Sequence, residues 1–140
     1  QNLPWNGFIT AGEFQYFELH FEKNTKNIYI SLSNMNGGDA DLYMNYGTSK
    51  LPSLYEYDWS SSNLGHEFLS INKDDPKIKA LKKDDLSGSY SVLVLGYTNT
   101  TYSLFVSSSD VVIFPLQPGV HSTCNCENEG DKCFFNFNGF

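Results

Sequence analysis

The residues best suited by type and spacing to chemistry are Asp39 and Asp41, in Gly38-Asp39-Ala40-Asp41-Leu42-Tyr43. In an extended segment, side chains two positions apart point the same way. Two carboxylates on one side of a strand, with the loop carbonyls of Asn36 and Gly37 close in sequence, form an oxygen set of the kind a hard cation such as calcium takes. A structural role suits the same residues, because aspartates at a strand entrance accept bonds from backbone N–H groups and fix the turn. Asp58, in Tyr57-Asp58-Trp59, carries the same two readings. The imidazoles are those of His20, His66 and His121, and no Gly-x-Ser-x-Gly, His-Glu-x-x-His or phosphate-loop pattern accompanies them. The histidines therefore read as solvated side chains, and the chain reads as a non-enzyme.

Three cysteines, Cys124, Cys126 and Cys133, cluster late in the chain. Such a cluster points to a local disulfide in an oxidising compartment, Cys126–Cys133 or Cys124–Cys133, with one thiol left over. Zinc is the competing reading, with His121 as a further ligand, but Cys-x-Cys departs from the usual C-x₂₋₄-C spacing. Tyr55 and Trp59 lie four apart in Tyr55-Glu56-Tyr57-Asp58-Trp59, in one phase of a two-residue alternation, and are candidate ligand-facing aromatics, since exposed rings stack on sugars or hold a fibrous protein. Asn99-Thr100-Thr101 is an N-glycosylation sequon placed in a turn.

The elements that must position these residues are strands. Period-two alternation runs through Phe17, Leu19 and Phe21, then Ile28, Ile30 and Leu32, then Leu42, Met44 and Tyr46. It continues through Leu69 and Ile71, then Tyr90, Val92 and Val94, and closes with Tyr102, Leu104 and Val106. Leu93 and Leu95 oppose the Tyr90 set, which predicts a strand covered on both faces. Asn-, Gly- and Ser-rich turns separate the runs, and residues 89–97 and 101–107 read as a tight hairpin. Residues 75–83 read as one or two helical turns, with Asp75 as cap, Pro76 at the first position and Ile78 and Leu81 on one face; an extended loop is the other reading. The expected fold is all-β, an antiparallel, jelly-roll-like β-sandwich of about eight strands.

With 140 residues, 40% hydrophobic and 18% charged, the chain is long enough for one domain with a core. A net charge of −7 argues against nucleic acid and anionic membrane surfaces, and no apolar run reaches membrane-spanning length. The chain starts at Gln1 without an initiator Met and reads as a mature or excised piece of a longer precursor. Leu116-Gln117-Pro118-Gly119 echoes Leu3-Pro4-Trp5-Asn6-Gly7, and residues 130–137 echo residues 12–19. The expected division is therefore a sandwich over 1–110, followed over 111–140 by a linker and the opening strand of a second copy, or an exchanged strand. A strand holding Phe134, Phe135 and Phe137 without its own domain seeks an open sheet edge.

Taken in order, Gly12-Glu13-Phe14-Gln15-Tyr16-Phe17, Asp39-Ala40-Asp41-Leu42-Tyr43, Pro52, Tyr57-Asp58, Gly88-Ser89-Tyr90-Ser91-Val92 and Tyr102-Ser103-Leu104 resemble the bacterial pre-peptidase C-terminal domain family. The resemblance runs from about Phe14 to Val106. It implies a secreted β-sandwich, collagen-binding-domain-like, with a role in adhesion, substrate targeting or architecture, and it makes Tyr57 and Asp58 core or corner residues. In related collagen-binding modules calcium is held near an acidic loop of this sort. That carry-over reaches Asp39 and Asp41 alone, because acidic N-terminal ligands have no counterpart before Trp5. The expected function is a non-catalytic extracellular or cell-surface structural, adhesive repeat that self-assembles through its C-terminal strand into a polymer, filament or array. Its partners would be other copies or neighbouring repeats, with a glycan at Asn99 and calcium as the candidate cofactor. The alternative is an accessory module of a secreted hydrolase that binds collagen or polysaccharide.

Overall fold

Alternating burial along Phe14–Phe21, Asn27–Met35, Glu67–Asn72 and Thr100–Ser108, and continuous burial along Ala40–Tyr46 and Gly88–Gly96, give two sheets with apolar inner faces that close on each other. The structure is a computed structural model that describes residues 2–108 and 132–134. In chain order the strands are β1 (Asn2–Ile9), β2 (Phe14–Phe21), β3 (Asn27–Met35), β4 (Ala40–Tyr46), β5 (Trp59–Ser61), β6 (Glu67–Asn72), β7 (Gly88–Gly96), β8 (Thr100–Ser108) and β9 (Lys132–Phe134). One short helix, α1 (Pro76–Ala80), precedes β7. The first sheet has the order β1-β8-β3-β6 and the second β5-β4-β7-β2-β9. The expected all-β sandwich is what the chain forms, with nine strands among the described residues. No helix among the described residues is long and apolar enough to cross a membrane.

The inner faces meet in one core. Ile28, Ile30, Leu32, Leu104 and Val106 of the first sheet are buried against Phe17, Leu19, Leu42, Met44, Val92 and Val94 of the second. Tyr90 and Tyr102 are fully buried, and each keeps its hydroxyl satisfied, Tyr90 donating to the Leu86 carbonyl and Tyr102 to Gln15 Oε1. Burial pushes both phenols above the usual tyrosine range. β7 is buried on both faces, as its double pattern predicts: Tyr90, Val92 and Val94 enter the core, while Leu93 and Leu95 pack on the outer face with Tyr16 of β2 and Tyr43 of β4.

That central place for β7 overturns the expected hairpin. With both edges occupied, β7 has none left for β8, which pairs instead with β1 and β3 in the opposite sheet. Residues 97–99 are thus a corner that crosses from one layer to the other. β1 was not among the strands read from alternation; it forms the edge beside β8, where Pro4, which lacks an N–H, is tolerated. Asp75 caps α1 through the Lys77 N–H at 2.9 Å, and Pro76 stands at its start. Ile78 is buried, but Leu81 terminates the helix and lies exposed, so the two do not share a face.

The C-terminal strand finds its sheet edge within the same chain. β9 lies parallel to β2, with Tyr16, Phe17 and Glu18 in register with Lys132, Cys133 and Phe134. Phe135, Phe137, His121, Cys124 and Cys126, and with them the disulfide pairings read from the sequence, lie outside the described residues.

Opposite faces of the first sheet should respond oppositely to truncation. Ile30→Ala, in the core, is expected to lower stability by about 2–5 kcal/mol, whereas Phe68→Ala, on the outer face, should cost less than about 1 kcal/mol. Urea unfolding of both variants checks this, and similar losses would contradict the assignment of the faces.

Candidate functional site

Two sheet-to-sheet corners meet at Asp39. Asn36 and Gly37 adopt positive φ, 56° and 70°, which turns the chain from β3 into β4. Gly38 follows, and a Cβ there would come within 2.6 Å of the Thr100 side chain, so only glycine fits against the start of β8. The Asp39 N–H donates to the hydroxyls of Thr98 and Thr100, at 2.9 and 3.0 Å, and its carbonyl accepts from Tyr97 and Thr98. The backbone of Asp39 is fully employed in this corner, which leaves its carboxylate available.

Asp41 lies on β4 in the phase opposite to the core residues Ala40 and Leu42, yet it is 7% exposed. Glu67 opens β6 in the inward phase and is 1% exposed. Its Oε1 accepts from Ser61 Oγ at 2.6 Å and from the Asn63 N–H at 2.9 Å. Asp39, Asp41 and Glu67 converge so that one oxygen from each lies within 4.8 Å of the others. Asp39 Oδ1, Asp41 Oδ1 and Glu67 Oε2 are buried without a hydrogen-bond partner among the described residues. No ion pair among those residues involves any of the three.

Electrostatics follow from the placement. Burial raises the Asp41 carboxyl to about 7, the neighbouring Asp39 and Glu67 carboxylates push it the same way, and so does a side-chain hydrogen bond with Glu67, which the pair makes when Asp41 holds its proton. Burial also raises the Tyr43 phenol, with Asp41 next in effect. The cluster can therefore keep a proton on Asp41 near neutral pH, or exchange that proton for a cation. Three carboxylates and no sulfur or imidazole ligand select a hard, oxygen-seeking ion over a soft one.

The other sequence-derived candidates do not gather here. Tyr55 is 92% exposed, but Trp59 packs on the core, its ring centroid 6.1 Å from that of Tyr90 and its Nε1–H donating to Asp75 at 3.1 Å. Residues 48–58 form no strand, so alternation does not govern which way these rings face. Tyr57, expected in the core, is 43% exposed and lies against Tyr43. Asp58 is a corner residue that accepts from the Tyr46 N–H at 2.9 Å. Tyr57 and Asp58, with Tyr46, Lys50, Glu56 and Lys77, line a cleft of about 310 Å³. Its charges are paired, Lys50 with Glu56 and Lys77 with Asp58. Asn99 is exposed, and its Oδ1 accepts from the Ala11 N–H at 2.9 Å.

His66 Nδ1 accepts from the Asn34 N–H. His20 Nδ1 lies 3.0 Å from Ser89 Oγ, as cross-strand neighbours on an exposed stretch of β2 and β7, away from the cleft. Glu67 is the functional candidate that alternation alone did not single out. Its signal was an acidic residue in phase with Leu69 and Ile71.

The arrangement of strands can be compared with known proteins. No family model matches the sequence, and comparison with curated proteins finds no match. Among solved structures, the pre-peptidase C-terminal domain of a collagenase from Bacillus anthracis superposes with a TM-score of 0.54 at 19% identity, covering 76% of this chain and 89% of that one. The chain shares the fold of that domain. A second structure, PliG from Aeromonas hydrophila, a periplasmic inhibitor of g-type lysozyme, gives a TM-score of 0.49 at 13% identity, covering 77% of this chain and 86% of that one. The likeness inferred from the Asp-x-Asp-Leu-Tyr and Gly-x-Tyr-x-Val segments is therefore borne out at the level of fold.

The carboxyl cluster sets a pH dependence in metal-free buffer. The folded-state value of Asp41 is raised from 3.8 to about 7, so between those limits the native state holds more protons than the unfolded chain, and stability falls as pH rises. In EDTA, stability followed by urea unfolding is expected to decline from pH 4 to pH 7, with that slope flattened in Asp41→Asn. An unchanged slope in the variant would place the effect elsewhere.

Proposed function

We propose that the chain is a non-catalytic extracellular module that takes calcium at Asp39, Asp41 and Glu67 and presents its sheets as binding and structural surfaces. The observation that carries this reading is a trio of converging carboxylates, Asp41 and Glu67 buried and Asp39 half-buried, with no ion-pair partner among the described residues. Unpaired carboxylates in a buried setting are costly, and a divalent cation offsets that cost. The cation would also link β4 of one sheet to β6 of the other. Asn34 braces the start of β4, the strand that carries Asp41, its amide donating to the carbonyls of Ala40 and Gly65, and its Oδ1 is buried without a hydrogen-bond partner among the described residues. The fold shared with a collagenase's pre-peptidase C-terminal domain supports an accessory, ligand-binding role in an extracellular setting. An N-linked glycan at Asn99 suits that setting, since the engaged carbonyl side of the amide is preserved on glycosylation.

A second reading, self-assembly by exchange of the C-terminal strand, draws support from β9. Among the described residues it is three residues long and pairs with Tyr16–Glu18 of the eight-residue β2 edge. Such an edge accepts a strand from its own chain or from another copy. Concentration-dependent oligomers by light scattering, lost on deletion of residues 115–140, are expected on this reading; a single monomeric species at all concentrations would remove it.

Calcium binding is checked by thermal unfolding and titration calorimetry. Calcium at about 100 times Kd should add about 2.7 kcal/mol of stability, EDTA should reverse it, and Asp41→Asn and Glu67→Gln should each abolish the response. A wild-type melting temperature indifferent to millimolar calcium would overturn the assignment.

A further inference from the structure

The outer face of the first sheet carries no charge. Outward positions on β1, β3, β6 and β8 are Asn, Ser, Thr, Pro, Met or aromatic, and none is Asp, Glu, Lys, Arg or His, although 18% of the chain is charged. The register arranges these residues as a checkerboard. In one row Phe105, Ser31 and Phe68 are cross-strand neighbours; in the adjacent row Ser107, Tyr29 and Ser70 are. Rings and hydroxyls thus alternate in both directions. Phe68 is 58% exposed, and the Tyr29 and Phe68 rings lie within 23° of parallel, with centroids 6.4 Å apart.

We infer that this face is a docking surface for a neutral, hydroxyl-rich polysaccharide. A ring offers an apolar face to the C–H groups of a pyranose, and a neighbouring hydroxyl donates to or accepts from its OH groups. Strand spacing sets Phe105 and Phe68 about 10 Å apart, the separation at which alternate sugars of an extended β-linked chain present the same face. The absence of charge fits an uncharged ligand, whose hydroxyls gain nothing from a field and would have to desolvate an ion. A second copy of the chain suits the face less well, since cores of copy-to-copy interfaces are predominantly apolar, whereas here Ser31, Ser70 and Ser107 stand between the rings and Asn27 and Asn72 beside them. The inference gives the ligand-binding reading a surface and rests on that reading, but not on the cation site, so binding should persist in EDTA.

Depletion of the full chain from solution by microcrystalline cellulose and by chitin tests this, at low salt and at 1 M NaCl, with EDTA present. The expected result is binding to at least one of these polymers, equal at both salt concentrations, reduced at least tenfold by Phe68→Ala and by Ser31→Lys, and unchanged by Tyr55→Ala. Circular dichroism establishes that the variants are folded; Phe68→Ala removes only an exposed ring, so it keeps the test intact if Ser31→Lys misfolds. Failure of the wild type to bind either polymer would overturn the inference. So would binding unaffected by both face substitutions, or a dimer by light scattering that Ser31→Lys converts to monomer. Loss of calcium binding with retention of polymer binding would count against the cation site alone.

Discussion

Everything in this molecule depends on the mutual burial of two inner sheet faces. Apolar residues in one phase of β3 and β8 have no shelter except the apolar phase of β2, β4 and β7. Each inner side chain removed from water contributes roughly 1.5–3 kcal/mol, and no single strand can collect that gain alone. The chain meets the requirement by changing sheets at nearly every step, so that strands adjacent in sequence mostly face one another across the core and are not paired side by side. Sequence-local turns are therefore corners between layers.

The candidate site is a product of those corners. Residues 36–38 and 97–99 cross between sheets at the same end, and their hydrogen bonds fix Asp39 between them. Asp41 follows two residues later, and Glu67 arrives from the other sheet. The outcome is a polar joint at the margin of an apolar sandwich. A joint of like charges repels, so the fold tolerates it only with a proton or a cation in place. The charge-free outer face of the first sheet lies on the far side of the same strands, in the opposite phase, so one alternation supplies core and surface together.

Much of this was legible in the residues. The phases of β2, β3, β4, β7 and β8 could be read from the spacing of Phe, Ile, Leu and Val, because a half-buried strand must repeat every second residue. Asp39 and Asp41 were visible as a pair because they are local. Glu67 was harder, since its meeting with them is a tertiary event; an acid in phase with Leu69 and Ile71 was the sign that this position is buried with a purpose. The hairpin expectation failed at residues 97–99 because turn chemistry does not distinguish a turn within a sheet from a corner between sheets. Trp59 was misjudged for a related reason: without a regular strand before it, two-residue spacing says nothing about which way a ring faces. Its burial is instead decided by Tyr90 and by the indole bond to Asp75.

The central claim, that the cluster of Asp39, Asp41 and Glu67 is a calcium site joining the two sheets, is tested most directly by crystallography. Crystals grown near pH 7.5 with calcium should show a density peak, identifiable by anomalous scattering, about 2.3–2.6 Å from an oxygen of each of the three carboxylates. Carboxylates that hydrogen-bond one another through a shared proton, with no peak between them in calcium-containing crystals, would contradict the account.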